Sequence, residues 1–350
     1  MDQPFQPTLL QWAREALGKT QSAFAKLVGV SQPTLSKFES GEKTPDEKHL
    51  RKMANACGYP EAFFFQPVGS IGSGLAFHRK RASLTATERN RLEAEAKLRL
   101  LDVDKLLPLT NAPDGWPEGP FGNPVEAAAA LRRAWNVAPG PIPDLSALLE
   151  SHGVILLPFD FGTELLDGFF LPDASGRVAI ALNTNANLPP DRRRFSLAHE
   201  LGHALLHRDS FPEKELETEA DTFASAFLAP ATDIRGELVP PLTFTRMKNL
   251  KARWKMSMQS LVRRARDLGT IDEIQYKRTC IFLSTCGYRK REPPCGVLPE
   301  RPSALSRAVA AFSAGRDPTE ALFLTAERFA ARYPGLDSQS QQPTETAAMT

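Results

Sequence analysis

Arg194-Phe195-Ser196-Leu197-Ala198-His199-Glu200-Leu201-Gly202-His203-Ala204-Leu205-Leu206-His207 contains the pattern His-Glu-x-x-His. On a helix, residues four apart lie about 40° apart around the axis and one turn along it. His199 and His203 can therefore offer imidazole nitrogens to one zinc ion. Glu200 stands beside them as a general base for a water molecule. Pro189-Pro190-Asp191 supplies a helix start, with proline and an acid in the first turn. Phe195, Ala198, Leu201, Gly202 and Leu205 recur at helical spacing. A glycine inside a helix costs about 1 kcal/mol against alanine, so Gly202 predicts a close approach by a neighbouring element.

Catalytic zinc takes three protein ligands and keeps one position open. The third is expected downstream, in Glu215-Leu216-Glu217-Thr218-Glu219-Ala220-Asp221-Thr222-Phe223-Ala224-Ser225-Ala226-Phe227-Leu228-Ala229-Pro230. Leu216, Ala220, Phe223, Ala224 and Phe227 mark a second amphipathic helix. Glu217 and Glu219 flank its apolar face at similar angles, so position on the wheel does not choose between them. Asp221 lies one turn after Glu217 on the same side, where it can accept a hydrogen bond from the second nitrogen of a ligating histidine. Glu219 has Phe223 at that spacing. The expectation is His199, His203 and Glu217 around the metal, Glu200 as the catalytic residue and Asp221 behind the ligands.

Arg194-Phe195 leading into His199-Glu200-x-x-His203-Ala204-Leu205-Leu206-His207, then Glu217-x-x-x-Asp221-x-Phe223-Ala224 and Pro230, resembles the ImmA/IrrE family of metallopeptidases. The likeness runs from about residue 125 to 270. It implies a zincin-like fold with zinc bound by two histidines and a glutamate, manganese being an alternative metal. The family is associated with cleavage of repressor proteins. Its Glu-x-x-x-Asp/Asn spacing also points to Glu217. Leu228-Ala229-Pro230 departs from the Leu-Met-Pro more usual there and leaves the ligands untouched.

Towards the N-terminus, Thr20 and Ser31 precede short apolar-periodic stretches separated by Gly29-Val30, and Asp46–Cys57 reads as a further helix. Two short helices joined by a glycine-bearing turn read as helix-turn-helix. Thr20-Gln21-x3-Ala25-x3-Gly29-Val30-Ser31-Gln32-x2-Leu35-Ser36-x2-Glu39-x-Gly41-x3-Pro45 resembles the Cro/lambda-repressor-type domain of the XRE class. The resemblance implies double-stranded DNA as partner, with the helix after Ser31 in a major groove. Gln32 and Thr34 are then placed at base edges, and Gln21, Lys37 and Lys43 at phosphates.

The expected fold class is multidomain: an all-α helix-turn-helix domain, then an α+β zincin-like metallopeptidase domain, then a helical C-terminal region. The boundaries are 8–68 for the DNA-binding domain, 69–124 for a linker with a helix at 85–107, 125–270 for the peptidase, 271–336 for a helical extension and 337–350 for a disordered tail. Thr85-Ala86-Thr87-Glu88 offers a capping box to the linker helix. Its Leu92, Ala96, Leu98 and Leu101 leave both internal packing and a homodimer open. Phe77-His78-Arg79-Lys80-Arg81 reads as a solvated charge run, and 108–124 as a proline- and glycine-rich loop. Val154–Leu157, Leu166–Leu171 and Val178–Asn183 predict strands, the last two joined by a turn at 173–176. One strand edge can align a peptide by backbone pairing. Leu250–Asp267 predicts basic helical structure that can look like a second helix-turn-helix.

Composition limits the rest. Hydrophobic content of 42% and charged content of 24% are those of a globular chain. A net charge of +2 excludes a general polyanion binder and confines any DNA surface to a patch. Met1-Asp2-Gln3-Pro4 begins no secretory signal, no apolar run of about 18 residues predicts a membrane span, and the expected location is the cytoplasm. Cys57, Cys280, Cys286 and Cys295 contain no C-x-x-C; reduced thiols are the simpler reading, with a metal at the last three left open. Two functions follow. One is a DNA-binding transcriptional regulator with zinc endopeptidase activity on a repressor-type protein. The other is a DNA-binding regulator whose zinc domain senses or scaffolds without turnover. The acid between the histidines favours the first.

Overall fold

Thr20, Ser31 and Asp46 each stand one residue before a helix. Their side-chain oxygens accept from Ala23 N at 3.2 Å, Thr34 N at 3.2 Å and His49 N at 2.8 Å, amides the helices leave unpaired. In the computed structural model, α1 (Pro7–Ala16) is followed by the three helices these caps open: α2 (Gln21–Val28), α3 (Gln32–Glu39) and α4 (Glu47–Cys57). Gly29 ends α2 at φ 75°, a left-handed conformation that glycine adopts without a Cβ clash, and turns the chain into α3. Leu9, Leu10, Phe24, Leu35, Phe38, Leu50 and Met53 meet in one core, closed by Phe63 and Phe64 of the 3-10 turn Glu61–Phe65. The structure describes residues 3–69, 71, 84–106, 122–172, 177–207, 214–289, 291–313 and 316–336. The expected charge run at 77–81, the turn at 173–176, the tail from 337 and most of the loop at 108–124 lie outside these.

The helix expected at 85–107 is α5 (Ala86–Leu106), opened by the capping box: Thr85 N donates to Glu88 at 2.8 Å and Glu88 N to Thr85 at 3.2 Å. It is no linker element. Ala94, Leu98, Leu101 and Leu106 belong to the same core as α1 to α4. Leu92, Ala96, Leu98 and Leu101, which left a homodimer open, are all buried within this chain, so that face is not available for self-association.

The second unit begins with α6 (Pro124–Ala134) and α7 (Leu145–Ser151). Three strands follow, β1 (Ile155–Phe159), β2 (Gly168–Pro172) and β3 (Val178–Asn183), in the order β1-β3-β2. β1 runs parallel to β3 with Ile155 opposite Ala179; β2 runs antiparallel with Phe170 opposite Ile180. β3 is buried along its whole length, as its run Val-Ala-Ile-Ala-Leu-Asn suits. α8 (Pro190–Leu206) packs on the sheet and α9 (Lys214–Leu228) packs on α8. α10 (Ala231–Ile234), α11 (Phe244–Trp254), α12 (Met258–Asp267) and α13 (Glu273–Thr285) continue the chain. The helical stretch expected at 250–267 is thus two helices, parted at Lys255 with φ 53° and restarted by a Ser257 cap.

The second compact unit runs on past 270. Glu292 accepts from Met258 N at 2.8 Å, Gln259 N at 3.0 Å and the buried Lys251 Nζ at 2.8 Å, so it caps α12 from outside. Glu300 accepts from Leu145 N and Ser146 N at 3.0 and 3.1 Å, which caps α7, and pairs with Arg194. The chain then returns to the first unit. α14 (Ala304–Ser313), α15 (Pro318–Ala321) and α16 (Ala326–Arg332) bring Ala308, Val309, Leu322, Leu324, Phe329 and Tyr333 into the core of α1 to α5. Residues 271–336 are therefore not one extension: 271–302 complete the second unit, and 303–336 complete the first.

Candidate metal centre

Gly202 lets α9 come close to α8. A Cβ built there would lie 2.9 Å from Phe223 Cδ1 and 3.3 Å from Phe223 Cβ, closer than real side chains pack. The close approach carries Glu217, on the helix of Phe223, to the histidines of α8. His199 Nε2 and His203 Nε2 are 3.0 Å apart, and Glu217 carboxylate oxygens lie 3.7 and 3.6 Å from them. Among the described residues, this is the group of three ligand-type side chains close enough to share one metal ion. Cys280, Cys286 and Cys295 form no such group, and all are free thiols.

The hydrogen bonds behind the rings fix what faces inward. Asp221 Oδ1 lies 2.9 Å from His199 Nδ1. A carboxylate accepts, so Nδ1 carries the proton and Nε2 presents a lone pair. His203 Nδ1 lies 3.0 Å from His207 Nδ1, and His207 Nε2 lies 2.9 Å from Glu219 Oε2. The same reasoning along this chain of contacts puts a lone pair on His203 Nε2. Two lone pairs and a carboxylate converge in a buried pocket, where only a cation satisfies all three. Two imidazoles and one carboxylate are the donor set that suits zinc.

Glu200 is buried on the sheet side of α8. Its Oε2 accepts from Phe170 N of β2 at 2.9 Å. Asn183 N donates to Asp167 O across the antiparallel pair, and alternation from there turns Phe170 and Gly168 toward the free edge of β2. That edge and the carboxylate are thereby tied together. A Cβ on Gly168 would lie 2.9 Å from Ala181 O, so glycine is required at this point of the β2–β3 pair.

Sequence reasoning missed the Phe170 contact, because it depends on strand register. Both ring nitrogens of His207 are engaged, with His203 and Glu219, which leaves neither to face a substrate. Glu219, weighed as a metal ligand, points to His207. The partners of Arg194 were also invisible: its guanidinium reaches Ile142 O at 2.6 Å and Glu300, which lies 106 positions along the chain.

In the first unit, Gln21 Nε2 donates to Glu39 at 2.8 Å, and Gln21 Oε1 accepts from Gln32 at 2.9 Å. Glu39 also receives Arg14, at 2.6 and 3.0 Å, so one buried carboxylate fixes α1, α2 and α3 together. Gln21 and Gln32 thus touch each other, while Gln32, Lys37 and Lys43 are exposed. Thr34 Oγ1 sits 2.8 Å from Ser31 Oγ at the start of α3. Lys37 pairs with Glu42 at 2.9 Å on the surface, and such a pair gives way readily to a phosphate.

Residues 149–266 match the peptidase M78 family model, described as the IrrE N-terminal-like domain, and residues 10–64 match a helix-turn-helix model. No curated protein matches the chain. The chain therefore joins a helix-turn-helix domain to a peptidase domain of the IrrE type, which is the architecture its motifs resemble. Neither model covers α5 or α13 to α16. No helix among the described residues is long and apolar enough to cross a membrane.

Proposed function

We propose that this chain, a helix-turn-helix domain joined to an IrrE-type peptidase domain, is a cytoplasmic DNA-binding regulator that cleaves a repressor-type protein with zinc, or manganese, at His199, His203 and Glu217. The carrying observation is the convergence of two imidazole Nε2 atoms and a carboxylate, with Glu200 next to His199 on the same helix. Bound zinc supplies Lewis-acid polarisation of the scissile carbonyl and makes water acidic enough to attack near neutral pH. Glu200 accepts that proton at a carboxylate oxygen and returns it to the departing amine. Phe170 N–H aims the carboxylate, and burial of both histidines keeps bulk water from competing. The Gly168 and Phe170 carbonyls on the free edge of β2 receive the amides of an extended substrate, which then lies antiparallel to β2 over Glu200. Pro172 closes this edge without an N–H to offer.

Gln32 and Thr34 of α3 meet base edges, and Gln21, Lys37 and Lys43 meet phosphates. Gln32 loses little by leaving Gln21, since an amide pair at the surface is of near-neutral worth in water.

Glu200→Gln tests the catalytic part. The full chain, loaded with zinc, is incubated with repressors encoded beside its gene. Cleavage by the parent and none by the variant, at equal zinc content, is the expected outcome. Equal cleavage by both removes Glu200 as the base. Zinc bound tightly by a parent that cleaves nothing supports the sensing role instead.

A further inference from the structure

His199 and His203 are held differently. His199 has a carboxylate directly behind it, Asp221, at 2.9 Å. His203 has a second imidazole behind it, and the carboxylate of Glu219 stands beyond that. His207 is 3% exposed, and its backbone N–H closes the end of α8 on His203 O at 2.9 Å. Its ring therefore sits one turn beyond His203, with each nitrogen facing a single partner.

We propose that His207 and Glu219 form a positioning relay that sets the proton placement and ring orientation of His203 toward the metal. The proposal rests on the metal-centre reading above. Glu219 is an acceptor, so the tautomer of His207 that fits this contact carries its proton on Nε2. His207 Nδ1 then has a lone pair, and the one proton the contact can hold comes from His203 Nδ1. That leaves His203 Nε2 unprotonated, facing His199 and Glu217. Without an acceptor behind it, the His203 ring is free to carry its proton on Nε2, where a metal must bind. His207 touches neither the open side of the site nor Glu200, so it acts through His203 and is not catalytic.

The test uses the full chain with His207→Leu, His207→Gln and Glu219→Ala. Zinc affinity is measured by competition with a chromophoric chelator. Ring-nitrogen shifts of 15N-histidine-labelled, metal-free protein report the tautomers. His207→Leu is expected to weaken zinc binding about 10- to 100-fold and to release His203 from its Nδ1–H form. His199, still held by Asp221, keeps its form. In His207→Gln the amide oxygen accepts from His203 and the amide nitrogen donates to Glu219, so most of the affinity returns. A residue serving only to pack would not be rescued by an amide in preference to leucine. Glu219→Ala, at a side chain 47% exposed, shifts both readouts in the same direction by less. Parent-like affinity and an unchanged His203 tautomer in His207→Leu overturn the relay. If that variant does not fold, the same result in Glu219→Ala overturns it. A parent that binds no zinc removes the metal-centre reading and the relay together.

Discussion

At the scale of single residues, Gly202 is the most exacting position in the peptidase unit. Its missing Cβ brings α9 near enough for Glu217 to face two histidines. Gly202→Ala is expected to destabilise this unit by about 1–3 kcal/mol through overpacking against Phe223, despite the gain in helix propensity. Zinc affinity falls with it, because Glu217 moves away with α9. Urea unfolding and chelator competition on the same variant check both effects, and an unchanged affinity would show that α9 is not positioned through Gly202. What was legible in the sequence at this scale was whatever lies within one or two helical turns. His199 and His203 share one helix face with Glu200 on its flank, and the Asp221 argument needed only the next helix. The Glu200–Phe170 bond was not legible, because a backbone amide has no residue-type signal. Wheel angles left Glu219 beside Glu217 as a candidate, because they locate a side chain around its own axis and say nothing of what stands opposite, which for Glu219 is His207.

At the scale of elements, caps were read more surely than partners. Thr20, Ser31 and Thr85 were legible as helix openers because their side-chain oxygens serve unpaired amides locally; Asp46, expected inside its helix, does the same from one residue before it. α5 was recognisable as a helix from its capping box, but its burial was not. Leu92, Ala94, Ala96, Leu98 and Leu100 alternate with charged residues and are all buried, which places apolar groups on opposite faces of one helix. Charged side chains survive there by pairing along the helix, Glu95 with Arg99 at 3.1 Å and Glu93 with Lys97 at 3.3 Å. Lys105 at the end of α5 is less well served. Burial, with Arg332 adding to it against Asp102 and Asp104, pushes its pKa down to about 8. Unfolded lysine titrates near 10.4. Between these values the unfolded chain holds a proton the folded chain has lost, so this lysine's contribution to stability rises with pH, by up to about 3 kcal/mol. Urea midpoints of the parent at pH 7.5 and 10 should differ in that sense relative to Lys105→Met, in which this rise is absent. Asp102, meanwhile, holds Arg332 at 2.6 Å and accepts from Tyr333 at 2.9 Å, all buried. Asp102→Ala takes from a buried guanidinium its nearer counter-charge, leaving Glu95 at 3.9 Å, and is expected to cost the first unit about 3 kcal/mol. Loss of less than 1 kcal/mol in calorimetry would mean that Glu95, Tyr59 and the Leu98 carbonyl suffice for Arg332.

At the scale of the whole molecule, residues 303–336 belong to the unit that opens the chain, and the Arg332–Asp102 pair closes them onto α5 across 230 positions. Arg328 donates to Cys57 O at 2.9 and 2.6 Å, and Thr325 to Gly58 O at 3.1 Å, fastening α16 to the end of α4. No composition shift marks this return, and nothing local in α14 to α16 names the partner, which is why they read as an appendage. Buried Val, Leu and Phe side chains are worth about 1.5–3 kcal/mol each, and the segment from α14 to α16 brings four, Val309, Leu322, Leu324 and Phe329, to this core. Their sum is comparable to the usual margin of about 5–15 kcal/mol of a domain. A chain ending at residue 302 is therefore expected to keep its zinc and lose selective DNA binding. Retained selection of one operator over random duplex would contradict this. The same connectivity has a consequence during synthesis. A ribosome releases α1 to α5 long before α14 to α16 exist, whereas everything from α6 to Glu300 emerges as one continuous run. The peptidase unit therefore matures first, and the DNA-binding unit, although translated earlier, waits for the chain that follows. A nascent chain stalled with residue 302 just outside the exit tunnel should resist protease through α6 to α13 and be cut within α1 to α5. Moving the stall until residue 336 has cleared the tunnel should protect both.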